Sequence, residues 1–135
     1  MPPSVSTYDY AVVRVVPRVD RGEFINAGVI LSCKTHGFLQ ARIELDAARL
    51  LALDATADVD AIQGALAVIP SVCAGGAAAG ALGRLSLRER FDWLVAPRST
   101  SVQTSPVHSG RCSGDLAATL DHLMARMVRP AAGRT

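Results

Sequence analysis

The chain has 135 residues, half of them hydrophobic, and a formal net charge of +2. This length predicts one domain, residues 1–135, that buries a core without disulfides or metals. The apolar content and low charge argue against a disordered chain, and the net charge is too small to argue for nucleic acid as a partner. Three widely spaced cysteines match neither a zinc site nor a disulfide framework. We therefore expect reduced thiols, no metal and no cofactor, and, because no signal peptide is visible, a cytoplasmic location.

The basic residues are concentrated towards the end of the chain. Residues 1–83 hold 6 basic and 8 acidic side chains, whereas residues 84–135 hold 8 and 4, and every basic residue except Lys34 is arginine. Codon bias in a GC-rich genome explains the arginine content without any function. The alternative is selection of arginine for bidentate binding of anions.

Three strands are predicted in the first third of the chain. Residues 8–16 are rich in β-branched and aromatic side chains, with apolar residues on both faces, which is typical of a central strand. A turn at residues 20–22 joins them to a second strand at 23–33, so the simplest pairing is an antiparallel hairpin. Residues 38–44 alternate between apolar and polar side chains and predict an edge strand.

Helices follow. Asp46 is a good N-cap for a short helix at residues 47–53. A longer helix begins at Asp58 or Asp60 and carries a buried stripe, and Pro70 either kinks this helix or ends it.

The longest uncharged stretch, residues 61–83, contains few strongly apolar side chains and five glycines. We interpret it as a buried helix followed by a flexible small-residue loop at 75–83, rather than as a membrane span.

Ser86 and Glu89 match a capping box that opens a helix ending near Val95. Trp93 on this helix either packs into the core or closes a groove. The remaining predicted elements are a strand at residues 102–107, a turn at 109–114 and an amphipathic helix at 115–128. The whole pattern predicts an α+β fold, an antiparallel sheet of about four strands with helices packed on one face and flexible ends at 1–7 and 130–135.

The most unusual segment, residues 98–110, is rich in hydroxyl side chains around one arginine and one histidine. Such a turn can cradle a phosphate or carboxylate, or its hydroxyls can simply bond to their own backbone. Arg14 lies among apolar neighbours on the first strand and needs a partner, either Glu23 or Glu44 or a bound anion. The candidate anion-binding or ligand-binding residues are Arg14, Arg90, Arg98, Ser99 and His108.

A cysteine nucleophile is a weaker alternative, since Cys33 or Cys112 would need a base such as His36 or His108 nearby. No catalytic residue is assigned.

Two blocks of the chain resemble a known family. The first combines YDYAVVRVVP at residues 8–17 with RGEFINAGVIL at 21–31, and the second combines ERFDWLVAPRST at 89–100 with SPVH at 105–108. Together they resemble short bacterial proteins of domain-of-unknown-function family 3037 over nearly the whole chain. The resemblance implies no activity, cofactor or catalytic residue. It implies one potential partner, a HipA-like kinase, because such kinases are sometimes encoded beside family members.

Two function hypotheses follow. The first is a non-enzymatic binding or accessory protein, because no acid, base and nucleophile converge in the sequence; it predicts an exposed apolar patch. The second is a small enzyme or a nucleotide- or phosphate-binding module that uses the 98–108 segment. The sequence leaves the oligomeric state open, with a homodimer among the alternatives.

Overall fold

A computed structural model describes residues 5–130 and shows one antiparallel sheet with four α-helices. The strands are β1 (Ser6–Val15), β2 (Ile25–Cys33), β3 (Phe38–Ile43), β4 (Val102–Thr104) and β5 (His108–Cys112). The sheet order is β3-β2-β1, and β4 and β5 both pair with the other side of β1. The predicted α+β class, the hairpin and the edge position of the third strand are confirmed.

The first strand starts earlier than the sequence predicted. Ser6 pairs with Cys112 and Thr7 with Arg111, so these two residues belong to the sheet rather than to a flexible end. Of the rest of the predicted flexible ends, residues 1–4 and 131–135 lie outside the described residues.

The strand beside β1 is broken in two. At the break, Ser105 is buried, and its backbone N–H donates to the Val12 carbonyl while its hydroxyl accepts from the Val12 N–H. Pro106 has no N–H to donate to a ladder, so β4 ends before it. The predicted strand at 102–107 is therefore too long, and the predicted turn at 109–114 is wrong over β5, because pairing with β1 extends a segment whose own sequence is turn-like.

The helices begin where side chains can cap them. They are α1 (Ala47–Leu53), α2 (Val59–Ala74), α3 (Leu87–Val95) and α4 (Leu116–Met127). Asp46, Asp58 and Asp115 each accept a backbone N–H at their helix starts, and the Ser86–Glu89 capping box is formed.

Two features differ from simple helix rules. Helix α2 continues through Pro70 to Ala74, so the proline does not end it. Residues 75–83, predicted to be a loop, contain most of a 3-10 segment at Ala77–Arg84, which Gly80 interrupts with a positive φ of 64°.

The helices cover both faces of the sheet, which corrects the prediction of one covered face. Ile30 belongs to the core under α1, α2 and α3, while its neighbours Val29 and Leu31 belong to a second core under α4. Because side chains alternate along a strand, β2 supplies both cores. Its nearly unbroken apolar sequence is typical of a strand buried on both faces.

Among residues 5–130, no single helix is long and apolar enough to cross a membrane. Helix α2 and the 3-10 segment pass that test only as a pair, bent by 63°.

Candidate functional site

Arg90 is part of the internal framework. Its Nη1 donates to the carbonyls of Val72 and Cys73 at 2.9 and 2.6 Å, and its Nε donates to the Leu85 carbonyl at 3.2 Å. These carbonyls include the free acceptors at the C-terminal end of α2, where a cation is also favoured by the helix dipole. Arg90 therefore ties α2 to α3 through its Nε and Nη1 donors.

Arg98 caps the next helix. Its guanidinium donates to the carbonyls of Leu94 and Trp93 at 2.9 and 2.6 Å, at the end of α3. The same group stacks on the Trp93 ring, with Cζ 4.4 Å from the ring centroid. Arg98 is half-buried, and a guanidinium carries five N–H groups, so donors remain for a ligand.

Arg14 lies on the α4 face of β1, opposite Asn26 of β2. Its guanidinium stacks over the exposed Phe24 ring at 4.2 Å. The buried Nε of Arg14 and the buried Oδ1 of Asn26 have no hydrogen-bond partner among residues 5–130. A β-bulge between Val13 and Arg14 shifts the register at this point.

Of the two alternatives for Arg14, an ion pair with Glu23 or Glu44 is not formed among residues 5–130. Glu23 pairs with Arg21, and Glu44 pairs with Arg129. Glu23 takes a partner close to it in sequence, whereas Glu44 takes one near the end of the chain. A sequence pattern does not show which of the available arginines a glutamate will choose.

Of the other two candidates, Ser99 follows Arg98 directly in the segment after α3, whereas His108 lies on β5. The His108 ring packs against Tyr10, with ring centroids 5.4 Å apart, and Tyr10 belongs to the α4 side of the sheet. Ser99 is exposed and lines none of the cavities found in residues 5–130. The five predicted residues are therefore not brought together, and residues 98–108 do not form a single pocket.

No cysteine–histidine pair is formed in the described part of the chain. The Cys112 thiol contacts the Thr119 hydroxyl at 3.0 Å and accepts from the Gly114 N–H at 3.4 Å. His36 instead bonds to the Ser6 hydroxyl at 2.6 Å. Within residues 5–130, no three metal-ligating side chains are grouped.

A concave feature lies between α2 and the edge of the sheet at β4. Its first part, the anchor hollow, has a volume of about 300 Å³. The hollow is lined by Ala65, Val68, Ile69, Trp93, Leu94, Arg98, Thr100, Val102, Gln103 and Thr104. Val68 and Trp93 are 48% and 39% exposed, which leaves two large apolar side chains in water at one concavity.

The second part, the acidic hollow, has a volume of about 420 Å³ and shares Ala65, Thr100 and Val102 with the first. It contains two carboxylates, Asp54 and Asp58. We call the two hollows together the α2–β4 groove.

The carboxylates of the acidic hollow are held by local hydrogen bonds. The Thr56 hydroxyl and backbone N–H donate to Asp54 and lower the pKa of that carboxyl below its ordinary value. Asp58 accepts the Ala61 N–H at the start of α2. In residues 5–130 neither carboxylate has a salt-bridge partner, so both can accept from a cationic ligand.

The floor of the groove was missed by the sequence reasoning. Ala61, Ala65 and Val68 lie at i, i+4 and i+7 of α2 and are all exposed. The periodicity that marks the buried stripe of α2 could have marked this second apolar stripe as well. The sequence left two alternatives for Trp93, packing into the core or closing a groove. The structure shows the second, because Trp93 lines the anchor hollow.

The fold and groove together define a small α+β protein with an open, mostly apolar groove at one sheet edge. A family described as "Protein of unknown function (DUF3037)" matches residues 10–128, and the chain belongs to that family. The resemblance of the two sequence blocks is thereby confirmed. No curated protein and no solved structure matches the chain.

Proposed function

We propose that the protein is a non-enzymatic binding protein that captures a peptide segment of a partner protein in the α2–β4 groove. The observation that carries this proposal is the pair of exposed apolar side chains, Val68 and Trp93, across the anchor hollow. Exposed apolar side chains at a concavity with a few polar groups are typical of interaction sites. The binding hypothesis from the sequence also expects such a patch.

The anchor hollow supports binding energetically. A leucine or phenylalanine side chain that fully leaves water there contributes about 1.5–3 kcal/mol. Tryptophan and arginine are enriched among the residues that dominate binding energy. Because Arg98 stacks on Trp93 and is tied to the end of α3, this wall of the hollow is ordered before binding, which lowers the entropic cost.

The alternative of a small enzyme or phosphate-binding module has less support. Its five residues are spread over β1, α3, the segment after α3 and β5, and Arg90 already donates to three carbonyls. A site for one small ligand requires its groups to converge on one cavity.

The first experiment is a selection from a random peptide library displayed on phage, with the immobilised protein as bait. We expect enriched peptides to carry a large apolar residue. Their affinity falls about 30-fold or more in the Val68→Glu variant, because a carboxylate in the hollow opposes burial of the apolar anchor.

The matched control is Val19→Glu, a valine of similar exposure, 45%, in the turn between β1 and β2. This control keeps wild-type affinity. If the library yields no peptide, or only peptides that bind both variants equally, the proposed function is wrong.

The resemblance to the family adds a specific partner, a HipA-like kinase, and we extend the proposal to it. Three free cysteines are compatible with a reducing, cytoplasmic setting for such a pair. A purified HipA-like kinase encoded beside a family member is titrated against the protein by calorimetry. Binding that is lost in Val68→Glu and kept in Val19→Glu supports this partner, and absence of binding removes it.

A further inference from the structure

The backbone of β4 has one edge turned away from the sheet. The Ser105 N–H donates to the Val12 carbonyl, and the Val16 N–H donates to the Ser101 carbonyl. In an antiparallel ladder the hydrogen-bonded positions alternate. Positions 101, 103 and 105 therefore face β1, and the backbone groups of Val102 and Thr104 face outwards.

These outward groups are nearly all unused. The Val102 carbonyl accepts from the Thr100 hydroxyl at 2.9 Å. The N–H groups of Val102 and Thr104 and the Thr104 carbonyl point away from β1. Among residues 5–130, no other group forms a hydrogen bond with them. Natural sheets protect an edge with a very short strand, lysine, proline, a bulge or a covering element. β4 is short, with three residues, and no lysine, proline or bulge lies within it, so it offers the outward backbone groups of Val102 and Thr104 alone.

The open edge borders the anchor hollow. Val102 and Thr104 line the hollow together with Val68 and Trp93. Because side chains of a strand alternate between faces, an extended chain laid along β4 directs every second side chain into this hollow. The main chain of the added strand then supplies affinity, and the hollow supplies selectivity.

The charges of the groove are ordered along it. Arg98 lies in the anchor hollow, and Asp54 and Asp58 lie in the acidic hollow. A complementary segment carries an acidic residue near Arg98 and a basic residue near the two aspartates, with the apolar anchor nearest Trp93. This order of charges gives the partner a defined chemistry.

We propose, building on the proposed function, that the protein recognises an extended segment of a partner protein by adding it as a strand to the open edge of β4. The segment places a large apolar side chain between Val68 and Trp93 and a basic side chain at Asp54 and Asp58.

The test uses synthetic peptides enriched in the library selection and the full-length protein. Each peptide is made in two N-methylated forms, one with the odd and one with the even backbone N–H groups blocked. An added strand uses only alternate N–H groups, so one form loses about tenfold or more in affinity and the other stays close to the unmodified peptide. Equal tolerance of both forms overturns strand addition, yet leaves the proposed function standing if binding still depends on Val68.

A second arm changes the protein. Thr104→Pro removes an outward N–H that the ladder with β1 does not use, and we expect about a tenfold loss of peptide affinity. Thr104→Val keeps the N–H and the shape of the side chain, so we expect it to lose less affinity than Thr104→Pro. Unchanged binding to a folded Thr104→Pro variant contradicts strand addition, and the N-methylated peptides decide the question if that variant does not fold.

The ordered charges have their own readout. Asp58→Asn keeps the helix cap, since asparagine caps as well as aspartate, but removes the charge. Peptides with a basic residue weaken in Asp58→Asn, and peptides in which that residue is replaced by glutamine do not. Equal affinity of both peptide types for both proteins overturns the assigned basic position.

Discussion

Replacing Arg90 with methionine removes the three hydrogen bonds to the carbonyls of Val72, Cys73 and Leu85 while it keeps an apolar stem of similar length. Hydrogen bonds to charged groups contribute about 1.5–3 kcal/mol each. Arg90 is half-buried, so water recovers part of this on mutation. We therefore expect the variant to lose about 2–4 kcal/mol of unfolding free energy in total.

Urea unfolding followed by circular dichroism measures this loss as a lower midpoint with an unchanged slope. The control is Arg84→Met, an exposed arginine with no side-chain partner among residues 5–130, which should stay within about 0.5 kcal/mol of wild type. If Arg90→Met is as stable as that control, the clamp between α2 and α3 is not structural and the guanidinium is again a candidate for anion binding.

Three further predictions follow from packing and burial. Gly28→Ala places a Cβ 2.5 Å from a backbone carbonyl of β3, so we expect a loss of about 1–3 kcal/mol in urea unfolding, and wild-type stability would refute the close approach. Iodoacetamide at neutral pH should modify the half-buried Cys112 well before the buried Cys33 and Cys73, as peptide mass spectrometry reports; simultaneous modification would contradict the burial. Burial raises the pKa of the Cys73 thiol to about 12, whereas the unfolded thiol ionises near its ordinary value of 9.0. The unfolding free energy should therefore fall from pH 9 towards pH 12 more steeply than in Cys73→Val, and parallel pH profiles would show that the thiol is not protected.

Local chemistry explains which parts of the fold could be predicted. The capping box at Ser86 and the N-caps Asp46 and Asp58 satisfy backbone donors within three residues, so their signals lie within the segments themselves. The hairpin of β1 and β2 follows from a short turn between two apolar strands. The third strand could be placed at an edge of the sheet because the outward residues in its sequence are polar.

The predictions that were wrong have a common physical origin, because each depends on contacts between distant parts of the chain. His108–Cys112 forms a strand only because β1 offers a free edge about a hundred residues earlier. Two of the three partners of Arg90, Val72 and Cys73, lie 18 and 17 residues away on another helix, and their carbonyls carry no sequence signal. The position of α4 on the opposite face depends on β2 being apolar on both sides.

The candidate site shows the same division. The sequence singled out Arg98 for its charge, and the structure places it in the groove as a helix cap stacked on Trp93. The groove itself needs α2, α3 and β4 to meet, so Val68 could be recognised only as an exposed apolar residue on a helix. The hydroxyl-rich segment at residues 98–110 begins beside the groove. The structure does not support the anion-binding site predicted for this segment, because His108 lies on the other face of the sheet.

A ¹H–¹⁵N NMR titration of the labelled protein with a peptide enriched in the library selection shows directly where the peptide binds. We expect the largest shifts on the Trp93 indole and on the backbone amides of Ala65, Val68, Val102 and Thr104. Resonances of Tyr10 and Phe24, away from the groove, should remain in place. Shifts concentrated on Tyr10, Phe24 and α4, with an unchanged Trp93 indole, would contradict the α2–β4 groove as the binding site.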